Sequence, residues 1–180
     1  MSEPVVIRQA SAADIDEVVA IDDEACALYD QAGLHFDFGP EHPFALSERA
    51  RWAVAVRAGD AFVAETPDGR PAGMLVMSRV DGAPYLEQIS VRTSAMRRGI
   101  GRLLLARAIE WAAGQPLWLT TYAHLPWNRP FYEQAGFAIV PERECPPEIL
   151  RILAEQRRWL PDPGERIAMR RHPPNARALT

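Results

Sequence analysis

Leu86-Glu87-Gln88-Ile89-Ser90-Val91-Arg92 runs, after Thr93-Ser94-Ala95, into Met96-Arg97-Arg98-Gly99-Ile100-Gly101-Arg102 and then Leu103-Leu104-Leu105-Ala106-Arg107-Ala108-Ile109. The first part reads as a strand, the second as a basic glycine turn, and the third as an amphipathic helix that opens there. A helix N-terminus gathers unpaired backbone N–H groups and positive dipole. Glycines let such a backbone come close to a bound group and take torsions closed to other residues. The stretch therefore predicts a turn that holds a phosphate. The alternative is that Gly99 and Gly101 only shape the start of the helix while the arginines face solvent.

Composition narrows the rest. The chain has 180 residues, 48% hydrophobic and 24% charged, enough to bury a core in one α/β domain. A net charge of −4 argues against a general nucleic-acid surface. Cys26 and Cys145 form no CxxC pair and sit in no cluster of zinc spacing, so neither a disulfide framework nor a structural metal is expected. Met1-Ser2-Glu3-Pro4 lacks the basic and apolar regions of a leader, and no apolar run reaches membrane length. The expectation is a reduced cytoplasmic protein without a membrane segment, folded as a single domain over 1–172 with a flexible tail at 173–180.

Elements alternate along the chain. Val5 to Arg8 is a strand, and Ser11 with Asp14 three residues on caps a helix through Ile15, Val18 and Val19 to about Cys26. Residues 28–46 hold Gly33, Gly39, Pro40 and Pro43 and read as a loop or broken helix, with a second helix from Ser47. Ala61 to Glu65 and Ala72 to Val80 form a hairpin around Asp68-Gly69, and Tyr85 to Arg92 adds a further strand. Beyond the helix from Gly101 to about Ala113 come a strand Leu117 to Tyr122, a short helix Pro130 to Ala135 and a strand Phe137 to Val140. A helix near Pro147 to Trp159 and a strand Arg166 to Arg170 complete the order.

Two glycine motifs are excluded by what is missing. A P-loop needs Lys-Ser or Lys-Thr, and this chain has no lysine; a dinucleotide fingerprint needs a third glycine where Leu104 stands. What remains, a glycine pair after a mid-chain strand, resembles the acetyl-CoA motif of the GNAT superfamily of N-acyltransferases, Gln/Arg-x-x-Gly-x-Gly, with Met96 in place of the usual Gln or Arg. Trp127-Asn128-Arg129-Pro130-Phe131-Tyr132-Glu133-Gln134-Ala135-Gly136-Phe137 resembles that family's downstream segment, in the same order and separation. The resemblance extends from Val5 to Val140. It implies an α/β (α+β) fold with a mixed, mostly antiparallel sheet of about seven strands, flanked by helices and splayed at strands 4 and 5, with the tail supplying the last strand.

It also implies roles. Acetyl-CoA would be the cosubstrate, its pyrophosphate held by Arg97, Arg98, Gly99, Ile100, Gly101 and Arg102. Its pantetheine would pair with Ile89, Ser90 and Val91 like an added strand, and a free N–H near Val91 would polarise the thioester carbonyl. Tyr132 is the candidate acid for the departing sulfur, since a phenol of pKa about 10 stays protonated at neutral pH; otherwise it is a packing residue. Asn128 would bond the cofactor or a water, or else cap its helix. Glu87 is the candidate base, sharing strand parity with Tyr85, Ile89 and Val91, or else a charge at a sheet edge or a partner of Arg92. The cysteines lie away from both motifs, favouring direct transfer in a ternary complex.

The acceptor is read from residues 22–42, where Asp22, Asp23, Glu24 and Asp30 mix with Tyr29, Phe36 and Phe38. Acid and aromatic groups suit a cationic amine, with Asp22 and Tyr29 as candidate substrate-binding residues; the plain alternative is a solvated helix end and loop. The expected partners are acetyl-CoA and an amine acceptor, with no nucleic acid and no membrane, and a homodimer as an option. Four function classes follow: an N-acetyltransferase acting on a small amine, a protein or peptide N-acetyltransferase, a non-catalytic acyl-CoA sensor, and a nucleotide-binding regulator.

Overall fold

The computed structural model describes residues 4–36 and 38–173, so all of the expected tail but residue 173 lies outside the described residues. The chain divides into two compact units, Met1–Ser78 with Leu86–Ala108, and Arg79–Tyr85 with Ile109–Thr180. Its hydrogen-bonded strands run in the order β1-β2-β3-β4-β5-β7-β6, where β1 is Val6–Gln9, β2 Ala61–Glu65, β3 Pro71–Val80, β4 Ala83–Val91, β5 Leu117–Tyr122, β6 Phe137–Val140 and β7 Arg166–Arg171. This is the mixed, mostly antiparallel seven-stranded sheet expected. Among the described residues no helix is long and apolar enough to cross a membrane.

In the first unit, α1 (Ile15–Ala25) and α3 (Pro43–Ala58) cover one face of β2 and β3. Val18 and Ile21 carry the helical stripe into a core with Trp52, Ala55, Val56, Ala61, Val63, Met74 and Val76. The opposite face takes α4 (Ile100–Trp111). Gly73 explains how closely: a Cβ there would lie 2.9 Å from Leu104 Cδ1 and 3.1 Å from both Ile100 Cγ2 and the Ser90 carbonyl oxygen. With a helix layer on each side, β2 is buried at Ala61, Phe62, Val63 and Ala64, which is why it reads as a continuous apolar run.

Around the first helices, one boundary agrees with expectation and one differs. The first helix ends at Ala25 and a short α2 (Ala27–Gln31) follows, so the broken-helix reading holds for its start. The next helix begins at Pro43 and not at Ser47: Pro43 occupies the first turn, where its missing N–H is no loss, and His42 Nδ1 accepts from the Phe44 N–H at 3.2 Å. A proline taken as a breaker was the start signal.

The Ser11 and Asp14 pairing is present, with the Ser11 N–H and hydroxyl both donating to Asp14 Oδ2 at 2.8 Å. Arg8 adds a two-pronged contact to the same carboxylate, at 2.9 and 2.8 Å, and its Nε reaches Glu65 at 2.7 Å. The Arg8 hydrogen bonds hold the Asp14 carboxyl well below the usual carboxylate range. Asp14→Ala should cost about 1–2 kcal/mol. Because the folded pKa is depressed, the contribution is complete above about pH 4 and is lost as pH falls through the folded value. Urea unfolding at pH 7 and pH 3 checks this: the gap between parent and variant should narrow at the lower pH.

In the second unit, β7 lies between β5 and β6 and pairs antiparallel with both, Leu117↔Arg171 through Tyr122↔Arg166 and Phe137↔Arg171 through Val140↔Ala168. The parallel pairing of β4 and β5 is registered at Tyr85↔Trp118, a direction that requires a long crossover, here through α4. Tyr85 and Trp118 form the core of this unit with Val140, Ala168 and, from α6 (Pro147–Trp159), Ile149 and Leu153. The Tyr85 phenol is satisfied by Thr120 Oγ1 at 2.8 Å.

Candidate active site

The glycine turn lies in the first unit. After a 3-10 turn at Thr93–Ala95, Met96 is extended, Arg97 adopts φ +61° and Gly99 φ +80°, and α4 starts at Ile100. A Cβ on Gly99 would meet nothing within 4 Å, so glycine is required there for its torsion and not for space. Arg97 holds a left-handed conformation that costs a non-glycine residue about 1–2 kcal/mol. Successive turns of opposite hand point neighbouring N–H groups inward, the geometry of an anion nest. The α4 ladder includes the Leu103 N–H to the Gly99 carbonyl at 3.1 Å, and the N–H groups of the preceding first turn lie outside any helical ladder. Ile100 is buried and pins the turn, while Arg97, Arg98 and Arg102 are exposed around it. A cleft of about 780 Å³ opens beside this turn, lined by Arg98, Arg92, Glu17, Glu24, Asp68 and Arg70 among others.

Two carboxyl groups lie at β4, Asp22 packed against it and Glu87 on it. Asp22 of α1 accepts at Oδ1 from Gln88 Nε2 and from Ser90 Oγ, both at 2.6 Å. Burial raises its pKa above the ordinary aspartate value, and those two hydrogen bonds offset this only in part. Glu87 accepts from Ser78 Oγ at 2.8 Å and pairs with Arg51 of α3 at 3.3 Å; Arg51 in turn reaches Ser47 at 2.9 Å. Neighbours in an unbroken strand face opposite sides. Glu87 and Gln88 nonetheless reach α3 and α1, helices that share one layer. The alternation read from the sequence therefore slips by one residue here, as at a β-bulge. Arg92 is not the partner of Glu87; its guanidinium belongs to Glu17 and Glu24 of α1.

Tyr29 of α2 stacks edge-on against Phe36 with centroids 4.9 Å apart. Phe36 continues to Phe38 at 6.2 Å, and Phe38 to His42 at 4.4 Å and Phe44 at 5.4 Å. The segment that looked aperiodic is thus ordered by ring contacts, which no period of 2 or 3.6 reveals. Cys26, at the junction of α1 and α2, has its thiol pushed far up by burial.

Asn128 and Tyr132 belong to the second unit. Asn128 precedes α5 (Arg129–Gln134), is 8% exposed, and its side chain makes no capping bond to that helix. Tyr132 is 7% exposed, its ring set edge-on to Phe131 and Phe137 at 5.2 and 5.8 Å. Upstream, His124 lies between Asp162 at 3.4 Å and Glu165 at 3.7 Å, a grouping that sequence reading did not find because its members are far apart in the chain.

Comparison with known proteins gives a consistent picture. The model of the Acetyltransferase (GNAT) family matches residues 26–137. A mycothiol acetyltransferase from Clavibacter michiganensis subsp. michiganensis is 34% identical over 91 residues, an alignment spanning 50% of this chain and 29% of that protein. Among solved structures, a GNAT-family acetyltransferase from Staphylococcus aureus Mu50 superposes with a TM-score of 0.67 at 14% identity, covering 93% of this chain and 98% of its own. N-acetylglutamate synthase from Neisseria gonorrhoeae, complexed with coenzyme A and N-acetyl-glutamate, gives 0.66 at 20% identity over 95% of this chain and 35% of that protein. The last two show likeness of fold.

Proposed function

Since the chain belongs to the GNAT acetyltransferase family, we propose that it transfers an acetyl group from acetyl-CoA to a primary amine, in the cytoplasm, by direct attack within a ternary complex. The observation that carries this reading is the turn at Arg97 to Gly99, whose two positive φ values open α4 beside three exposed arginines. Backbone N–H groups from Gly99 to Arg102 would hold the pyrophosphate and Arg97, Arg98 and Arg102 would neutralise it. Bound acetyl-CoA supplies the activated acyl group; the chain supplies orientation and proton transfers. Ile89, Ser90 and Val91 offer main-chain groups to the pantetheine. Glu87 takes the proton of the amine, and Tyr132 returns one to the sulfur.

The acceptor in this reading is a small cation. Asp22 is costly to ionise where it stands, and an ammonium beside it would restore the charged form, so binding and ionisation support each other. The rings from Tyr29 to Phe38 add faces attractive to a cation. An acyl-cysteine route is disfavoured, since burial raises both Cys26 and Cys145 and suppresses their thiolates.

A panel of small amines and N-terminal peptides incubated with acetyl-CoA, followed by release of free thiol, tests the proposal. Turnover confined to small cationic amines is expected. Turnover of peptides alone would move the acceptor to a protein, and coenzyme binding without turnover of any amine would reduce the chain to an acyl-CoA sensor.

A further inference from the structure

The segment joining β4 to α4 is fastened before it reaches the glycine turn. The Arg92 N–H donates to the Ala72 carbonyl at 2.8 Å, and its Nε to the Pro71 carbonyl at 3.0 Å. Its Nη1 reaches Glu24 at 2.5 Å and its Nη2 reaches Glu17. The other Glu24 oxygen accepts from the Thr93 N–H at 3.0 Å and from the Thr93 hydroxyl at 2.9 Å. One α1 carboxylate therefore grips both residues with which the bend begins. Ala95 is buried just beyond, and Ile100 is the next buried residue. Between those fixed points lie Met96 to Gly99, with Arg97 and Gly99 at positive φ.

A left-handed arginine on an exposed turn relaxes unless its flanks are held. Ile100 holds the far side by packing. On the near side the fastening is charge and hydrogen bonding, and these form a network. Isolated surface ion pairs contribute little, but here one guanidinium meets two carboxylates and a carbonyl, the Arg92 main-chain N–H meets a second carbonyl, and Glu24 is also bonded to the backbone.

We infer that Glu24, acting through Arg92 and Thr93, is a positioning residue that sets the conformation of the phosphate-holding turn. The inference rests on the proposed reading of residues 97–102. Glu24 touches no cosubstrate in this scheme; it keeps the N–H groups of the turn aimed at one point.

Glu24→Gln tests it, because glutamine keeps an oxygen for Thr93 and removes the charge that binds Arg92. Calorimetry should give about a tenfold weaker dissociation constant for coenzyme A. The affinity for S-acetylpantetheine, which lacks the pyrophosphate, should be unchanged, a distinction that general loss of structure would not produce. Amide exchange should quicken in peptides spanning 96–102 and stay as in the parent in β2. Thr93→Val, which removes only the hydroxyl donor, should weaken coenzyme A binding about threefold and serves if the glutamine variant does not fold. Gly101→Val separates phosphate holding from positioning. If it leaves coenzyme A affinity intact, the phosphate-turn reading is wrong. If it weakens binding at least tenfold while folded Glu24→Gln or Thr93→Val binds like the parent, or loses S-acetylpantetheine equally, only the positioning role is overturned.

Discussion

Tyr132→Phe should lower kcat by roughly 100-fold or more, the lower range for a lost acid–base group, while coenzyme A affinity stays within about twofold. The substitution removes one oxygen and leaves the ring contacts with Phe131 and Phe137 in place, so α5 keeps its packing. The expected loss arises because a thiolate, whose thiol has a reference pKa of about 8.5, leaves poorly without a proton, and a phenol of pKa about 10 keeps a proton to give at neutral pH. The transfer is uphill between free groups and is driven by breakage of the carbon–sulfur bond. A donor analogue with a more acidic leaving thiol should be less sensitive to the change. Rapid-quench measurement of a single turnover is the check. Full turnover in the phenylalanine variant, with chemistry rate-limiting, would make Tyr132 a packing residue.

Much of this molecule is legible in its sequence, for reasons that can be located. Asp68-Gly69 marks the β2–β3 turn, with Gly69 at φ +78°, and the Ile15, Val18, Val19 stripe projects one face of α1 into the core. The glycine turn is legible because its chemistry is local: positive φ, a helix start and arginines lie within a few residues of one another. The start of α3 was missed because proline signals both stops and starts, and only His42 as a cap decides between them. The slip in β4 was missed because a period of 2 predicts alternation and carries no mark of where it breaks. Arg92 and its partners were unreadable for a third reason. Its carboxylates lie 68 and 75 residues away in sequence, and an arginine among twenty gives no sign of which acid it meets.

The same distance hid the surroundings of Glu87. In the sequence Glu87 reads as either a base or a structural charge, and the fold adds Arg51 and Ser78 as direct partners. Arg51 binds the carboxylate that acts as base in the proposed scheme. It competes for the lone pairs that would take the proton, so Arg51 would have to loosen as an ammonium arrives; the 3.3 Å contact is long for a charge-assisted bond and permits this.

Glu87→Gln is therefore expected to cut kcat by about 100-fold, with a smaller change in KM for the amine, because glutamine keeps the bond from Ser78 and cannot accept a proton. The sign of the pH dependence follows from the acceptor. An ammonium of pKa near 10.4 is only about 0.04% neutral at pH 7, so activity should rise with pH as the amine loses its proton. In the proposed scheme the parent's Glu87 takes that proton at the site and supports turnover well below the amine's own pKa. In the glutamine variant only amine already neutral in solution can react, so its curve should be lower throughout the neutral range and climb towards the parent's at high pH. Asp22→Asn should act differently, raising the amine's KM with little change in kcat. Superimposable pH–rate profiles for the parent and Glu87→Gln, taken with a turned-over amine, would remove this carboxylate from the proton path and leave Arg51 and Glu87 as a structural pair between α3 and β4.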